Sequence, residues 1–194
     1  MSDAGATLTH QIDSATDLQS VVRTMRALAA SSIHQYEQSV LALSDYWQAL
    51  NLGLGACLRL SGTPITVPPQ HGAAAASVGA IVFGSDQGLV GQFNDVIVAH
   101  ALQALRAMPG QPVVWAVGER IRARLSDAGI TVAGTYAQPS AVEAIAPLIE
   151  QLQFDTETHP SQQGSPRICI FFNQPKPGAL YEPVTQRLLP LDDA

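Results

Sequence analysis

The segment GSDQGLVGQFN at residues 84–94 has the residue types that a phosphate-binding site uses. It lies between an apolar run that predicts a strand and a segment that predicts a helix, the place where doubly wound folds bind phosphates. Its glycines match neither GxGxxG nor GxxxxGK[ST], and Lys176, the only lysine of the chain, is far away in the sequence. The spacing therefore argues against a nucleotide site.

The same segment could be imagined as a nucleophilic site, with Ser85 as nucleophile, Asp86 as its orienting group and His100 on the following helix. The GxSxG pattern is absent, and a Ser-Asp pair at the end of a strand is common in turns. We therefore predict a structural turn in which glycines permit tight bends and polar side chains cap backbone donors. Its residues are Ser85, Asp86, Gly88, Gly91, Phe93 and Asn94.

The cysteines and histidines do not suggest a metal site. Cys57 and Cys169 lie far apart, without a CxxC motif, and the five histidines are scattered through different segments. We expect reduced thiols, no metal, no cofactor and no catalytic residue on this chain.

The overall charge and composition exclude several functional classes. Ten basic residues against sixteen acidic ones give a net charge of −6 over 194 residues, which is unfavourable for binding nucleic acid. With 46% hydrophobic and 13% charged residues, the chain is not of disordered type. The N-terminal residues do not resemble a secretory signal, and no apolar run is long enough to span a bilayer.

An apolar heptad repeat runs through residues 1–58 and predicts one long coiled-coil helix. Such a helix is a rod of roughly 70–75 Å, longer than a domain of this size is wide, so we expect it to project. The remaining sequence has no second heptad stretch to pair with it, so we expect its partner to be either another chain or a segment that this sequence lacks. We call the two repeating positions the seam: Leu8, Ala15, Val22, Ala29, Tyr36, Leu43, Leu50 and Cys57, alternating with Ile12, Gln19, Arg26, Ile33, Val40, Trp47 and Leu54.

A linker rich in proline and glycine is predicted at residues 59–77, followed by a Rossmann-like α/β domain with a mostly parallel sheet at 78–194. Apolar runs predict strands at 78–84, 112–118, 130–134 and 167–173, with an edge strand at 181–191. Amphipathic segments predict helices at 93–108, 119–129 and 141–153, with a local irregularity at Pro147 and a loop at 155–166.

Two motifs resemble the gamma subunit of rotary F-type ATP synthases. Ile12-x-Ser14 followed by VVRTMRALAA at 21–30 is similar to the family's I-x-S and ITKAMxxVAA, and SDQGLVGQFN at 85–94 is similar to its SDRGLCGxFN. Weaker similarities follow in family order at V117-G118-E119-R120, F172-N173 and L188-L189-P190.

The resemblance implies a central-stalk shaft that couples ion-driven rotation to ATP synthesis or hydrolysis on beta subunits and carries no catalytic residue itself. It implies contacts with the alpha and beta subunits, the epsilon subunit and the membrane rotor ring, at the cytoplasmic face as a peripheral component without direct membrane insertion. The implied partner-contact residues are Arg23, Met25, Arg26, Ala29 and Ala30.

The sequence also departs from the family. Ser32 and Gln87 replace a family lysine and arginine, the first 60 residues contain three arginines against five acidic residues, and the family's long C-terminal helix is absent. These departures suggest a divergent or alternative-type ATPase and a truncated shaft. Two other interpretations remain open: a Rossmann-like small-ligand enzyme with a helical oligomerisation arm, and an independent coiled-coil assembly module.

Overall fold

The computed structural model describes residues 2–61, 78–108, 110–159, 167–178 and 180–189. The chain divides into two compact units, Met1–Val67 and Pro68–Ala194, each of which is described by itself. Within the described residues, no helix is both long enough and apolar enough to cross a membrane.

The N-terminal unit contains one helix, α1, which spans Ser2–Ser61 and is 60 residues long. No proline interrupts it, and it continues through Gly53 and Gly55. The helix extends to Ser61, past the end at residue 58 that the heptads predict, while residues 62–77 of the predicted linker lie outside the described residues. Seam side chains are exposed: Ile33 is 57%, Val40 67% and Trp47 58% accessible to solvent.

The second unit is an α/β domain built on one five-stranded sheet of order β3-β2-β1-β4-β5. Strands β1 to β4 are mutually parallel, and β5 joins β4 as an antiparallel edge strand. This confirms the predicted fold class. The elements are β1 (Val78–Phe83), α2 (Phe93–Ala107), β2 (Val113–Val117), α3 (Glu119–Asp127), β3 (Val132–Tyr136), a 3-10 turn (Val142–Ala144), α4 (Ile145–Thr158), β4 (Arg167–Lys176) and β5 (Leu180–Leu189).

Several element boundaries differ from the sequence prediction, among them boundaries of α4, β3 and β4. Helix α4 continues to Thr158, so the loop predicted at 155–166 is wrong for its first four positions. Pro147 lies in the first turn of α4, where the missing backbone N–H costs little. Strand β3 begins at Val132 rather than at 130. Strand β4 continues through Pro175 to Lys176, because it pairs with β5 from Ile168 to Lys176.

Alternate side chains of the strands enter two apolar clusters, one on each face of the sheet. On one face, Ile97 of α2 and Ile121 of α3 pack in one cluster with strand residues such as Phe171 of β4. On the other face, Trp115 and Ile81 pack with Leu152 of α4. This two-sided burial explains why the parallel strands have continuous apolar sequences. The parallel pairing of β1 with β2 and of β2 with β3 places the carboxyl ends of these three strands beside one another.

Candidate functional site

The turn that follows β1 is fixed by hydrogen bonds between its own residues. The buried Asn94 accepts the backbone N–H of Ser85 at its Oδ1, 3.0 Å away, and its Nδ2 donates to Ser85 Oγ at 2.8 Å. The Ser85 hydroxyl in turn donates to the carbonyl of Gln87 at 2.9 Å. His100 hydrogen-bonds Thr185 instead, at 2.8 Å. The Ser85 hydroxyl is therefore engaged in the turn, and among the described residues no base is hydrogen-bonded to it.

Asp86 connects this turn to two other loops at the same edge of the sheet. Its Oδ1 accepts the backbone N–H of Glu119, the first residue of α3, at 2.7 Å. Its Oδ2 accepts the backbone N–H of Gln138, just after β3, also at 2.7 Å. A carboxylate at a helix N-terminus is stabilised by the helix dipole, so Asp86 caps the N-terminus of α3 while it connects the three loops.

Two glycines allow the loops to approach this closely. A Cβ on Gly84 would collide with Ile121 and lie 2.6 Å from Asn94 Oδ1, and a Cβ on Gly118 would lie 2.9 Å from the Ser85 carbonyl carbon. Gly118 also has φ +116°, a conformation that L side chains rarely adopt. The backbone N–H of Arg120 donates to the Ser85 carbonyl at 3.0 Å, which completes the contact between the turn and α3.

The other predicted turn residues are more exposed than Ser85 and Asn94: Gly88 and Phe93 are half-buried, and Gly91 is exposed. Gly91 has φ +59°, and the ring of Phe93 makes an edge contact with Tyr181, their centroids 5.1 Å apart. A Cβ on Gly88 would lie 3.5 Å from the Arg120 guanidinium. Between Gly88 and Gly91, Leu89 has φ +61° and is 73% exposed.

Sequence reasoning missed two interactions that position the elements around the site. The Tyr136 hydroxyl donates a hydrogen bond to Asp155 and thereby joins β3 to α4. Burial of the hydroxyl raises the pKa of Tyr136, and the nearby Asp155 carboxylate raises it further. The Arg124 guanidinium forms an ion pair with Asp95 at 3.0 Å, joining α3 to α2. Neither pair gave a local signal, since the partners are distant in sequence.

Asn173, at the end of the buried part of β4, also supports the start of α2. Its Nδ2 donates to the backbone carbonyl of Phe93 at 2.8 Å. Among the described residues, its buried Oδ1 has no hydrogen-bond partner.

Charged side chains near the turn pair with one another. Glu119 accepts hydrogen bonds from Arg122, and this contact lowers the pKa of Glu119 and raises that of Arg122.

A groove of about 480 Å³ lies between α3 and β3, lined by residues such as Arg122, Ser126 and Thr135, outside the 84–94 turn. Within the described residues, no group of three or more His, Cys, Asp or Glu side chains could hold a metal ion.

The predicted partner-contact residues all lie on α1 within about two turns. Arg23, Arg26, Ala29 and Ala30 are exposed, and Met25 is half-buried. In the part of the chain that the structure describes, the ion pairs all belong to the α/β unit, so neither arginine has an acidic partner. The structure thus brings the polar turn residues together, whereas the α1 residues remain open along one helix.

A family profile described as "ATP synthase" matches residues 5–194. The ATP synthase gamma chain of Clavibacter sepedonicus is 28% identical over 193 residues, covering 95% of this chain and 63% of the relative. The gamma chain of Clavibacter michiganensis subsp. michiganensis is 28% identical over 195 residues, with the same coverages. The chain thus spans less than two thirds of the length of these relatives.

A solved structure shares the fold. A chain in the cryo-EM structure of Tetrahymena thermophila mitochondrial ATP synthase, described as central stalk and c-ring, superposes with a TM-score of 0.50 at 20% sequence identity. The match covers 61% of this chain and 52% of that chain.

Proposed function

The chain belongs to the ATP synthase family, with gamma chains as its relatives, and we propose that it acts as the central-stalk rotor shaft of a rotary ATP synthase or ATPase. In this role it couples ion-driven rotation to ATP synthesis, or hydrolysis to rotation, at sites on beta subunits. The observation that carries the proposal is α1, a helix of 60 residues whose apolar heptad seam is open to solvent.

The seam supports a shaft because of its length and continuity. Seam side chains from Leu8 to Leu54 include a series of large apolar residues that are at least 45% exposed. Apolar surface of this extent is stable when a second helix covers it, and two helices wound together form a rod that resists bending and twisting. A rod of this kind can transmit torque between a membrane rotor and a catalytic head.

We propose that Arg23, Met25, Arg26, Ala29 and Ala30 contact partners along this rod. Small residues such as Ala29 and Ala30 permit close approach of a neighbouring helix, and the two arginines are available for acidic partners. The proposed partners are the alpha and beta subunits, the epsilon subunit and the membrane rotor ring. The chain is proposed to be peripheral, at the cytoplasmic face, as part of the complex.

The turn of Ser85, Asp86, Gly88, Gly91, Phe93 and Asn94 is proposed to be a structural scaffold. Its polar side chains are engaged by backbone groups of three loops, and Ile121 and Asn94 fill the space beside Gly84. A substrate or nucleotide would have to displace these internal contacts. This geometry favours force transmission over the alternative of a small-ligand enzyme.

Reconstitution tests the proposed function. Alpha and beta subunits from the same source, co-expressed with a tagged version of the chain, are expected to co-purify with it as one complex by size-exclusion chromatography. Replacing both Arg23 and Arg26 with glutamate is expected to weaken this co-purification, while Arg59→Glu, outside the contact segment, serves as the control.

Nucleotide titration provides the opposing test. Saturable micromolar binding of ATP or ADP to the isolated chain, abolished by Asp86→Ala or Ser85→Ala, would contradict the shaft proposal. Failure of the tagged chain to associate with alpha and beta subunits would also count against it.

A further inference from the structure

Two glycines, Gly53 and Gly55, lie inside α1, two turns before its end at Ser61. Between Gly5 and Gly53 the helix contains neither glycine nor proline. Glycine in a helix interior is less favourable than alanine, because it loses more backbone freedom when the helix forms. Two glycines within one turn therefore make this turn the weakest part of the helix interior.

Within the described residues, neither glycine is required by its surroundings. Neither has a positive φ. A Cβ on Gly53 would meet no atom within 4 Å, and a Cβ on Gly55 would meet the end of the Arg59 side chain at 3.6 Å, an ordinary contact. At Gly84 and Gly118, by contrast, a Cβ would collide with neighbouring residues. Alanine would therefore fit at both positions of α1.

The backbone of this turn also receives a hydrogen bond from a side chain. Arg59 Nε donates to the carbonyl of Gly55 at 3.1 Å, so a donor from outside the ladder of helix N–H groups reaches this carbonyl. Helices bend sharply where a small residue such as glycine weakens the turn, or where a side chain or a water molecule enters the hydrogen-bond ladder. Both conditions are met at this turn.

We infer that Gly53 and Gly55 form a hinge in α1, at which the last turns of the helix, residues 56–61, change direction relative to the part that precedes Gly53. The hinge is a property of α1 itself and needs no partner. Its use rests on the proposed function of α1 as a shaft helix. A rod that bends at one point near its end adjusts its direction there, while the proposed contact residues at 23–30 remain on a straight segment.

Distances between two nitroxide spin labels, measured by double electron–electron resonance on the full chain, test the hinge. The test pair is the exposed Cys57, beyond the glycines, with Gln38→Cys. The control pair is Gln38→Cys with Gln19→Cys, in a chain that also carries Cys57→Ser. Both pairs have the same separation in sequence, about 28 Å along a straight helix, and only the test pair spans the glycines. The buried Cys169 is replaced with alanine in both proteins.

We expect the distance distribution of the test pair to be at least about twice as wide as that of the control pair. Replacing both Gly53 and Gly55 with alanine should narrow the test distribution to the width of the control. Gly5→Ala, the same substitution near the other end of α1, is the matched control and should leave the test distribution unchanged.

Equal widths for the two label pairs would overturn the inference, and so would a test distribution that stays wide after both glycines are replaced. Circular dichroism verifies that each labelled variant keeps its helix content. Because the measurement uses this chain alone, its outcome is independent of whether alpha and beta subunits bind the chain. Failure of the hinge is thereby distinguished from failure of the proposed function.

Discussion

The carboxylate of Asp86 accepts the backbone N–H of Glu119 at 2.7 Å, although 33 residues separate the two in sequence. Its second oxygen accepts the N–H of Gln138 at the same distance, so one side chain connects the loops after β1, β2 and β3. The carboxylate thereby caps the N-terminus of α3, where the helix dipole favours a negative charge.

Asp86→Ala is expected to destabilise the α/β unit by about 2–4 kcal/mol, because two backbone N–H groups lose charge-assisted hydrogen bonds. Urea denaturation followed by circular dichroism measures the change. Asp127→Ala, which removes an exposed aspartate from α3, is the control and should change stability by less than about 0.5 kcal/mol. Equal effects of the two substitutions would contradict the connecting role of Asp86.

Gly118→Ala is expected to cost about 3 kcal/mol, since the new Cβ would adopt φ +116° and lie 2.9 Å from the Ser85 backbone. Gly129→Ala is the matched control: Gly129 has φ +82°, but a Cβ at this position would meet no atom within 4 Å, so only the cost of about 1 kcal/mol for the backbone conformation applies. Thermal unfolding of both variants separates the steric contribution from the conformational one. A Gly118→Ala protein as stable as Gly129→Ala would disprove the close approach.

The Tyr136 hydroxyl gives a prediction for alkaline pH. Its pKa is raised above the ordinary value of 10.0 by burial and by Asp155, so the folded state holds the proton more tightly than the unfolded state does. The resulting stability is fully present below pH 10 and is lost as the pH rises from there towards the folded-state pKa.

Tyr136→Phe tests this prediction, because it removes both the titrating group and the bond to Asp155. At neutral pH we expect a loss of about 1–2 kcal/mol in urea denaturation. Above pH 10, the stability of the variant should fall less steeply than that of the unchanged protein. Parallel stability curves for the two proteins would refute the assigned role of the hydroxyl.

Ala29→Phe is expected to impair assembly by overpacking the seam at the place where the proposed partner helix would approach closely. The readout is co-purification with alpha and beta subunits, together with ATP-driven ion transport in the complete complex. Ala27→Phe introduces the same side chain outside the seam and should leave both properties close to those of the unchanged protein. Normal coupling with Ala29→Phe would show that the register assigned to α1 is wrong.

The sequence alone determined the elements whose signals are periodic and local. The seam from Leu8 to Cys57 repeats every seven residues, and a long helix is the structure that places such positions on one side. Apolar runs separated by amphipathic segments likewise predicted the mostly parallel sheet. A strand that is buried on both faces has a continuous apolar sequence, without polar residues at every second position. The end of α4 escaped prediction because TETH at 156–159 has no local apolar pattern, and the buried Thr156 acquires its place only by packing.

Only the tertiary structure decided how the turn residues are used. From sequence, Ser85, Asp86 and Asn94 have side chains suited to capping, to holding a phosphate or to nucleophilic chemistry. The strand order β3-β2-β1-β4-β5 brings Glu119 and Gln138 to Asp86, across 33 and 52 residues, and thereby engages both carboxylate oxygens in backbone contacts. Residue types and periodicity encode local geometry, whereas which donor meets which acceptor depends on how distant strands are ordered in the sheet.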